Sequence, residues 1–189
     1  MDPKLHNIFS CPIYETSLNL NIKLINEYCL RLNKSTAGVV RSNQGGWQSP
    51  AIDSRELPIL ATEIKKHANL FKKKLLLKDS LKICNMWVNM NGYKDSNIKH
   101  AHPRCTLSGV YYVKVPSQSG GINFFNPVDD LLDSDWHHVK RENYNKYNSL
   151  TWTFEPVENL MLLFPSWLRH SVLPHLNKKE RVSISFNLR

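Results

Sequence analysis

The chain has 189 residues, 41% hydrophobic and 22% charged, which excludes a disordered or fibrous protein and leaves enough sequence to bury one sizeable core. Its 25 Lys and Arg against 16 Asp and Glu give a net charge of +9, but much of that excess lies in runs such as Lys65-Lys66 and Lys72-Lys73-Lys74, which read as a solvated helix face rather than a nucleic-acid surface. No apolar run approaches the length of a membrane span; the four cysteines (Cys11, Cys29, Cys84, Cys105) form no CxxC pair and no secretory leader opens the chain, so reduced thiols in a cytoplasm-like compartment, the host's if the protein is viral, are the expectation.

In chain order, Ile22 to Leu32 places Ile22, Ile25, Cys29 and Leu32 at helical spacing and predicts an amphipathic helix. A second helix is predicted from about Ser54 to Leu75, with Asp53 or Ser54 as its cap, Pro58 in its first turns, and Leu57, Leu60, Ile64, Ala68 and Phe71 on its buried face. From Leu81 onward the texture changes to short runs rich in Val, Ile, Tyr, Phe and Trp. Strands are predicted near 82–90, 106–115, 121–125, 151–154, 160–164, 170–173 and 181–188, a pattern that suits a sandwich or barrel with the helices against one face. The chain thus reads as one domain over 1–189, with residues 1–80 as helical support and 81–189 as the β core. The polar stretch 128–148 is long for a connection and reads as either a lid or a plain surface excursion.

The carboxy-terminal strands carry chemistry. If 170–173 and 181–188 form a hairpin, His170 lies opposite Ser183 and Val172 opposite Arg181. Period-two alternation then puts His170, Arg181, Ser183, Ser185 and Asn187 on one face and Val182, Ile184, Phe186 and Leu188 on the other. The apolar face should pack on the helices, and a polar face on a central strand implies a lined cavity. An arginine there needs an anionic partner. A bound carboxylate would suit its planar fork, with Ser183 donating to the same group; a protein acid such as Glu155 or Glu158 is the other reading. On 106–115, Tyr112 has the parity to point into the same cavity and offer its hydroxyl.

In "KHAHPRC", residues 99–105, His100 and His102 share one face of an extended segment, and a third histidine such as His170 can complete a metal site. Neutral imidazoles with open positions suit Fe(II), Zn or Cu. Arg181, eleven residues beyond His170 and placed to hold a carboxylate, narrows this to iron binding a 2-oxo acid.

The ordered set HxH, SGVYY, FPSWLRH and RxS in "HAHPRCTLSGVYYVKVP…SGGINFFNP…LLFPSWLRHSVLP…ERVSISFN" resembles the Fe(II)- and 2-oxoglutarate-dependent oxygenases, most closely a bacterial and phage group related to prolyl hydroxylases. The likeness spans residues 81–189, and "IFSCPIY" also resembles that group's opening. The resemblance implies a double-stranded β-helix, a jelly-roll, cupin-like fold that is mainly β with flanking α, its amino-terminal helices packed on one sheet. It implies Fe(II), 2-oxoglutarate and O2 as cofactors, with ascorbate as an accessory reductant, and hydroxylation coupled to release of succinate and CO2. It places proximal and distal iron ligands at His100 and His170, the cosubstrate carboxylate on Arg181 and Ser183, and a supporting tyrosine at Tyr112.

One position departs from the family pattern: the usual HxD or HxE has become HxH, and a neutral imidazole there raises the charge at the metal by one unit. Three readings stay open: His102 as third ligand, His102 beside a metal-bound water, or a loop carboxylate, Asp95 or Asp129, completing the site. The substrate is a protein side chain, with proline the first guess, or a small molecule. Alternatives are a three-histidine cupin-like metal protein that does not use 2-oxoglutarate, and a noncatalytic binding module. Lys99, Arg104 and Arg169 make the expected mouth basic and hint at an acidic substrate; Trp87, Trp136 and Trp167 could wall it, core packing being the expectation for Trp87 and Trp167.

Overall fold

The computed structural model describes residues 2–189. Strand β1 (Tyr14–Ser17) leads into helix α1 (Ile22–Ser35), whose first turn is capped by the Asn21 side chain, 3.4 Å from the Leu24 amide, and which buries Ile25 and Cys29 one turn apart. Two short strands follow, β2 (Asn43–Gln44) and β3 (Trp47–Gln48). A 3-10 turn at Ser54–Glu56 is closed by a reciprocal capping box between Asp53 and Glu56, so Asp53 caps the turn and α2 (Pro58–Lys74) starts with Pro58 at the position where a missing N–H costs nothing. Leu60, Ala61, Ile64, Ala68 and Phe71 form its buried stripe, while Lys72, Lys73 and Lys74 crowd the last turn, where the helix dipole favours positive charge.

The barrel strands are β4 (Ile83–Asn91), β5 (Ser96–His100), β6 (Leu107–Lys114), β7 (Ile122–Phe125), β8 (Thr151–Phe154), β9 (Leu160–Pro165), β10 (His170–Val172) and β11 (Arg181–Leu188). Between β7 and β8 the 128–148 segment includes helix α3 (Asp129–Trp136). The strands form two antiparallel sheets, ordered β1-β9-β6-β11-β4-β3 and β2-β5-β10-β7-β8. Apart from β7 to β8, each step from β4 to β11 crosses between sheets. Four of these eight strands lie in each, which is the double-stranded β-helix with α1 and α2 on one sheet.

The outer face of the larger sheet meets the helices: Val182, Ile184, Phe186 and Leu188, each 0% exposed, share one cluster with Ile64 and Phe71 of α2 and Cys29 of α1. The inner face forms a second cluster with the smaller sheet, including Val110, Tyr112, Leu162, Phe164 and Phe124. Since β6 and β9 are covered on both faces, their sequences are nearly continuous apolar runs. Gly109 lets β6 pass under Phe186, since a Cβ there would stand 2.5 Å from that ring.

The expected hairpin between 170–173 and 181–188 does not form. Strand β10 pairs with β5 and β7 in the smaller sheet, β11 with β4 and β6 in the larger. Pro174 has no N–H to offer a ladder, and the connection bonds to two other segments instead: Leu173 N to Gly121 O (2.9 Å) and Leu176 N to Gln118 O (3.0 Å) in the β6–β7 connection, and His175 N to Asp95 O (3.0 Å). Consequently His170 lies beside His100 and Phe124, and Ser183 beside Asn89 and Tyr112. Among the described residues no helix is long and apolar enough to cross a membrane.

Because Ile64 is fully buried between helix and sheet while Ile59 is 70% exposed, Ile64→Ala should lose about 2–5 kcal/mol in a urea titration and Ile59→Ala less than about 0.5 kcal/mol.

Candidate active site

Three histidines converge where the two sheets face each other. His100, the last residue of β5, is the direct ladder partner of His170, the first residue of β10. His102 follows the strand end and is held by its amide, which donates to the Ser166 carbonyl at 3.0 Å. Ring centroids lie 4.4 Å apart for His100 and His170, 5.0 Å for His100 and His102, and 5.2 Å for His102 and His170. One ring nitrogen from each falls within 4.8 Å of the others, a span that modest side-chain rotation closes around an ion with nitrogen bonds of about 2.1 Å.

The tautomers of two rings are fixed by their neighbours. Nδ1 of His100 lies 2.8 Å from the Ile98 carbonyl and Nδ1 of His170 lies 2.9 Å from the Leu168 carbonyl. A carbonyl only accepts, so Nδ1 donates its hydrogen and Nε2 keeps a lone pair, which in His100 faces the Ser42 hydroxyl, as in metal-ligating histidines oriented by a backbone oxygen. Burial holds His170 down at about 3 and His102 at about 4, with repulsion from neighbouring imidazoles adding to both. His100 is lowered as well, again by burial, against the pull of the Ile98 carbonyl. All three are therefore neutral near pH 7, the state a metal requires.

Arg181 opens β11 with only 2% of its surface exposed. Its guanidinium donates to Asn91 Oδ1 at 2.7 Å and to the Gly120 carbonyl, and its Nε has no partner. Glu155 and Glu158, the alternative partners, are both exposed, and Glu158 instead accepts from the Val115 amide at 3.1 Å. Among the described residues no carboxylate lies within ion-pair distance of Arg181. Burial accordingly pushes its guanidinium down from the usual arginine value, partly offset by Tyr112 and Asp95. Beside it, Ser183 is 4% and Tyr112 2% exposed, and burial raises the Tyr112 hydroxyl to about 12, so it stays a donor. His100, His102, His170, Tyr112, Arg181 and Ser183 all line one cavity.

Neither loop carboxylate joins the histidines. Asp95 accepts from the Gly92 amide at 2.6 Å in its own turn. Asp129, on α3, accepts from Lys99 Nζ at 2.7 Å and Arg169 Nη2 at 2.6 Å; burial alone would raise its carboxyl, but these two cations outweigh it and hold it low. Lys99 and Arg169 immediately precede His100 and His170, so this carboxylate staples the two histidine strands together from outside. It also pairs with two of the three cations expected to make the mouth basic and offsets one of their charges.

Some lining residues escaped the sequence reading. Asn89 and Asn91, with Trp87, form the inward parity of β4; Asn89 donates to Ser185 Oγ at 3.0 Å and Asn91 anchors Arg181. The alternation in "NMWVNMN" carried that signal. Ser42, 3.4 Å from His100 Nε2 and hydrogen-bonded to Asn97 at 3.1 Å, comes from the β2 approach, which no local pattern marks. Trp87 lines the cavity, with its ring 5.7 Å from that of His102, whereas Trp167 is 55% exposed rather than packed in the core.

A family model described as "Putative 2OG-Fe(II) oxygenase" matches residues 85–187, more than half of the chain. The chain belongs to the 2OG-Fe(II) oxygenase family. It is therefore a 2-oxoglutarate-dependent oxygenase, of a family that uses Fe(II), 2-oxoglutarate and O2. Solved structures share the fold. A Pseudomonas putida prolyl-4-hydroxylase superposes with a TM-score of 0.68 at 15% identity, over 95% of this chain and 93% of that one. The viral collagen prolyl hydroxylase of Paramecium bursaria Chlorella virus-1, in complex with 2-oxoglutarate, gives 0.62 at 13% identity over 94% and 95%. HygX from Streptomyces hygroscopicus, with nickel and 2-oxoglutarate bound, gives 0.65 at 10% over 94% and 82%. No curated protein matches the sequence.

The histidine cluster makes the metal-free fold acid-sensitive. Its imidazoles are neutral when folded, but in the unfolded chain they take up protons below about pH 6.5, so the stability they confer is complete above that pH and is lost as the pH falls toward the folded values of about 4 and 3. The melting temperature of chelator-treated protein should drop between pH 7 and pH 5, and a triple His→Gln variant at 100, 102 and 170 should show a shallower slope; an equal slope would contradict this.

Proposed function

We propose that this oxygenase hydroxylates a protein side chain, proline being the first candidate, or a small molecule, with conversion of 2-oxoglutarate to succinate and CO2. The observation that carries the cosubstrate assignment is Arg181, a buried cation without an acid and with Nε unpartnered in the same cavity as three neutral histidines. The donor set fits the family's metal: two Nε2 lone pairs fixed by backbone carbonyls, and a third imidazole 5.0–5.2 Å from both rings.

In this reading His100, His102 and His170 hold the iron, and His102 takes the place of the usual carboxylate. Arg181 binds the distal carboxylate of 2-oxoglutarate, with Ser183 and Tyr112 donating hydroxyl hydrogens to it. When bound, iron with 2-oxoglutarate and O2 supplies the oxidative decarboxylation that places an oxygen atom on the substrate. The chain supplies position and dryness. Ile122, Phe164 and Val110 wall the inner side, where exclusion of water strengthens the arginine–carboxylate attraction, and Trp87 stands beside His102 on the cavity wall. Prolyl hydroxylases among the fold neighbours, including one from Trichoplax adhaerens with a hypoxia-inducible-factor peptide, support a peptide substrate. The epimerase SnoN, in complex with nogalamycin RO, keeps a small molecule in view.

Succinate release from 2-oxoglutarate and Fe(II) tests the assignment. Arg181→Ala should raise the KM for 2-oxoglutarate by about 10- to 100-fold, the worth of one or two charge-assisted hydrogen bonds, while its far-UV spectrum stays native. A folded variant that releases succinate as well as the wild type refutes the cosubstrate site.

A further inference from the structure

Outside the cavity, two thiols meet at the end of β11. Cys84 Sγ lies 3.9 Å from Cys105 Sγ and 3.4 Å from the Asn187 carbonyl. The register explains the meeting. Asn187 pairs with Asn85 but Leu188 pairs with Ile83, so Cys84 is the extra residue of a β-bulge, and a bulge re-aims the side chain it frees. Cys105 arrives from the other side of β11, in the turn that follows His102 and contains Arg104 at φ +66°. Cys84 is exposed and Cys105 half-buried, whereas Cys29 is sealed within the helix–sheet core.

We propose that Cys84 and Cys105 are a modification site: a dithiol that a hydroperoxide converts to an intramolecular disulfide, regulating how tightly the adjoining HxH segment keeps its metal. Cys84 Sγ attacks the O–O bond, forming a sulfenic acid and releasing water or an alcohol. Cys105 Sγ then attacks the Cys84 sulfur, forming the S–S bond and releasing water as the sulfenic hydroxyl leaves with the Cys105 proton. Two thiols are oxidised by two electrons and one peroxide is reduced. Burial, with the neighbouring Cys84, pushes the Cys105 thiol up to about 11, so the exposed Cys84 meets the oxidant and Cys105 resolves it.

The ring so closed runs from residue 84 to residue 105 and contains β4 beyond its first residue, β5, His100 and His102. Local opening of that segment is a route by which metal escapes, and a covalent closure removes open conformations. This regulatory part rests on the metal reading above; the chemistry of the thiols does not.

The full-length protein, reduced and then treated with excess hydrogen peroxide, should lose two hydrogens in intact mass, lose two free thiols, and yield a peptide linking Cys84 to Cys105. Cys84→Ser and Cys105→Ser should each abolish that link. Failure to form it in the wild type, with single-cysteine over-oxidation or dimers through Cys11 instead, overturns the site. Loaded with Co(II), the disulfide form should release the metal to a chelator several-fold more slowly than the reduced form; equal rates overturn the regulatory part alone. If neither form binds Co(II), the metal reading fails and takes the regulation with it, while the mass result still decides the dithiol.

Discussion

A guanidinium sealed inside a β-barrel without a carboxylate partner is the constraint around which this molecule is built. Stripping a cation of water costs several kcal/mol, and Arg181 recovers only part of it from Asn91 and the Gly120 carbonyl. Both supports are exacting. Asn91 must end the inward face of β4, and residue 120 must be glycine, because a Cβ there would collide with the Leu173 carbonyl. A fold tolerates such an arrangement most readily when an anion completes it, and the nearby Ser183 and Tyr112 hydroxyls are suited to the same guest.

Strand β11 shows how one eight-residue segment serves core and site together. Its even positions, Val182 to Leu188, are fully buried against the helices, and its odd positions, Arg181, Ser183 and Ser185, line the cavity. Slipping the register by one residue would exchange the two sets and bury the arginine among leucines. The facing sheet supplies His100 and His170, with Asp129 of α3 holding Lys99 and Arg169 behind them, so the polar insertion between β7 and β8 acts as a brace for the histidine strands.

Much of this was legible from periodicity. The stripe of α2, the two faces of β11 and the inward turn of Tyr112 follow from side-chain geometry alone, and the HxH and RxS spacings pointed to the chemistry. What failed was pairing. Proximity in sequence suggested that β10 and β11 form a hairpin, whereas Pro174 and the bonds of residues 173–176 to two distant segments carry the chain across the barrel. Strands β1, β2 and β3 are only two to four residues long and exist because an edge of a sheet receives them, so no local signal could mark them. The fate of Lys99 and Arg169 was equally hidden, since their partner lies thirty or more residues away.

The third histidine would give the proposed centre its distinct character. If the three histidines hold the metal as proposed, the protein would contribute no negative charge to it, and charge balance would fall to the cosubstrate. The most direct measurement is a crystal structure with manganese(II) as an inert stand-in for iron and 2-oxoglutarate present. Anomalous density should be bonded to nitrogens of His100, His102 and His170, with the distal carboxylate on Arg181 between Ser183 and Tyr112. A metal coordinated without two or more of these histidines, or a cosubstrate whose distal carboxylate lies away from Arg181, would contradict the proposed centre.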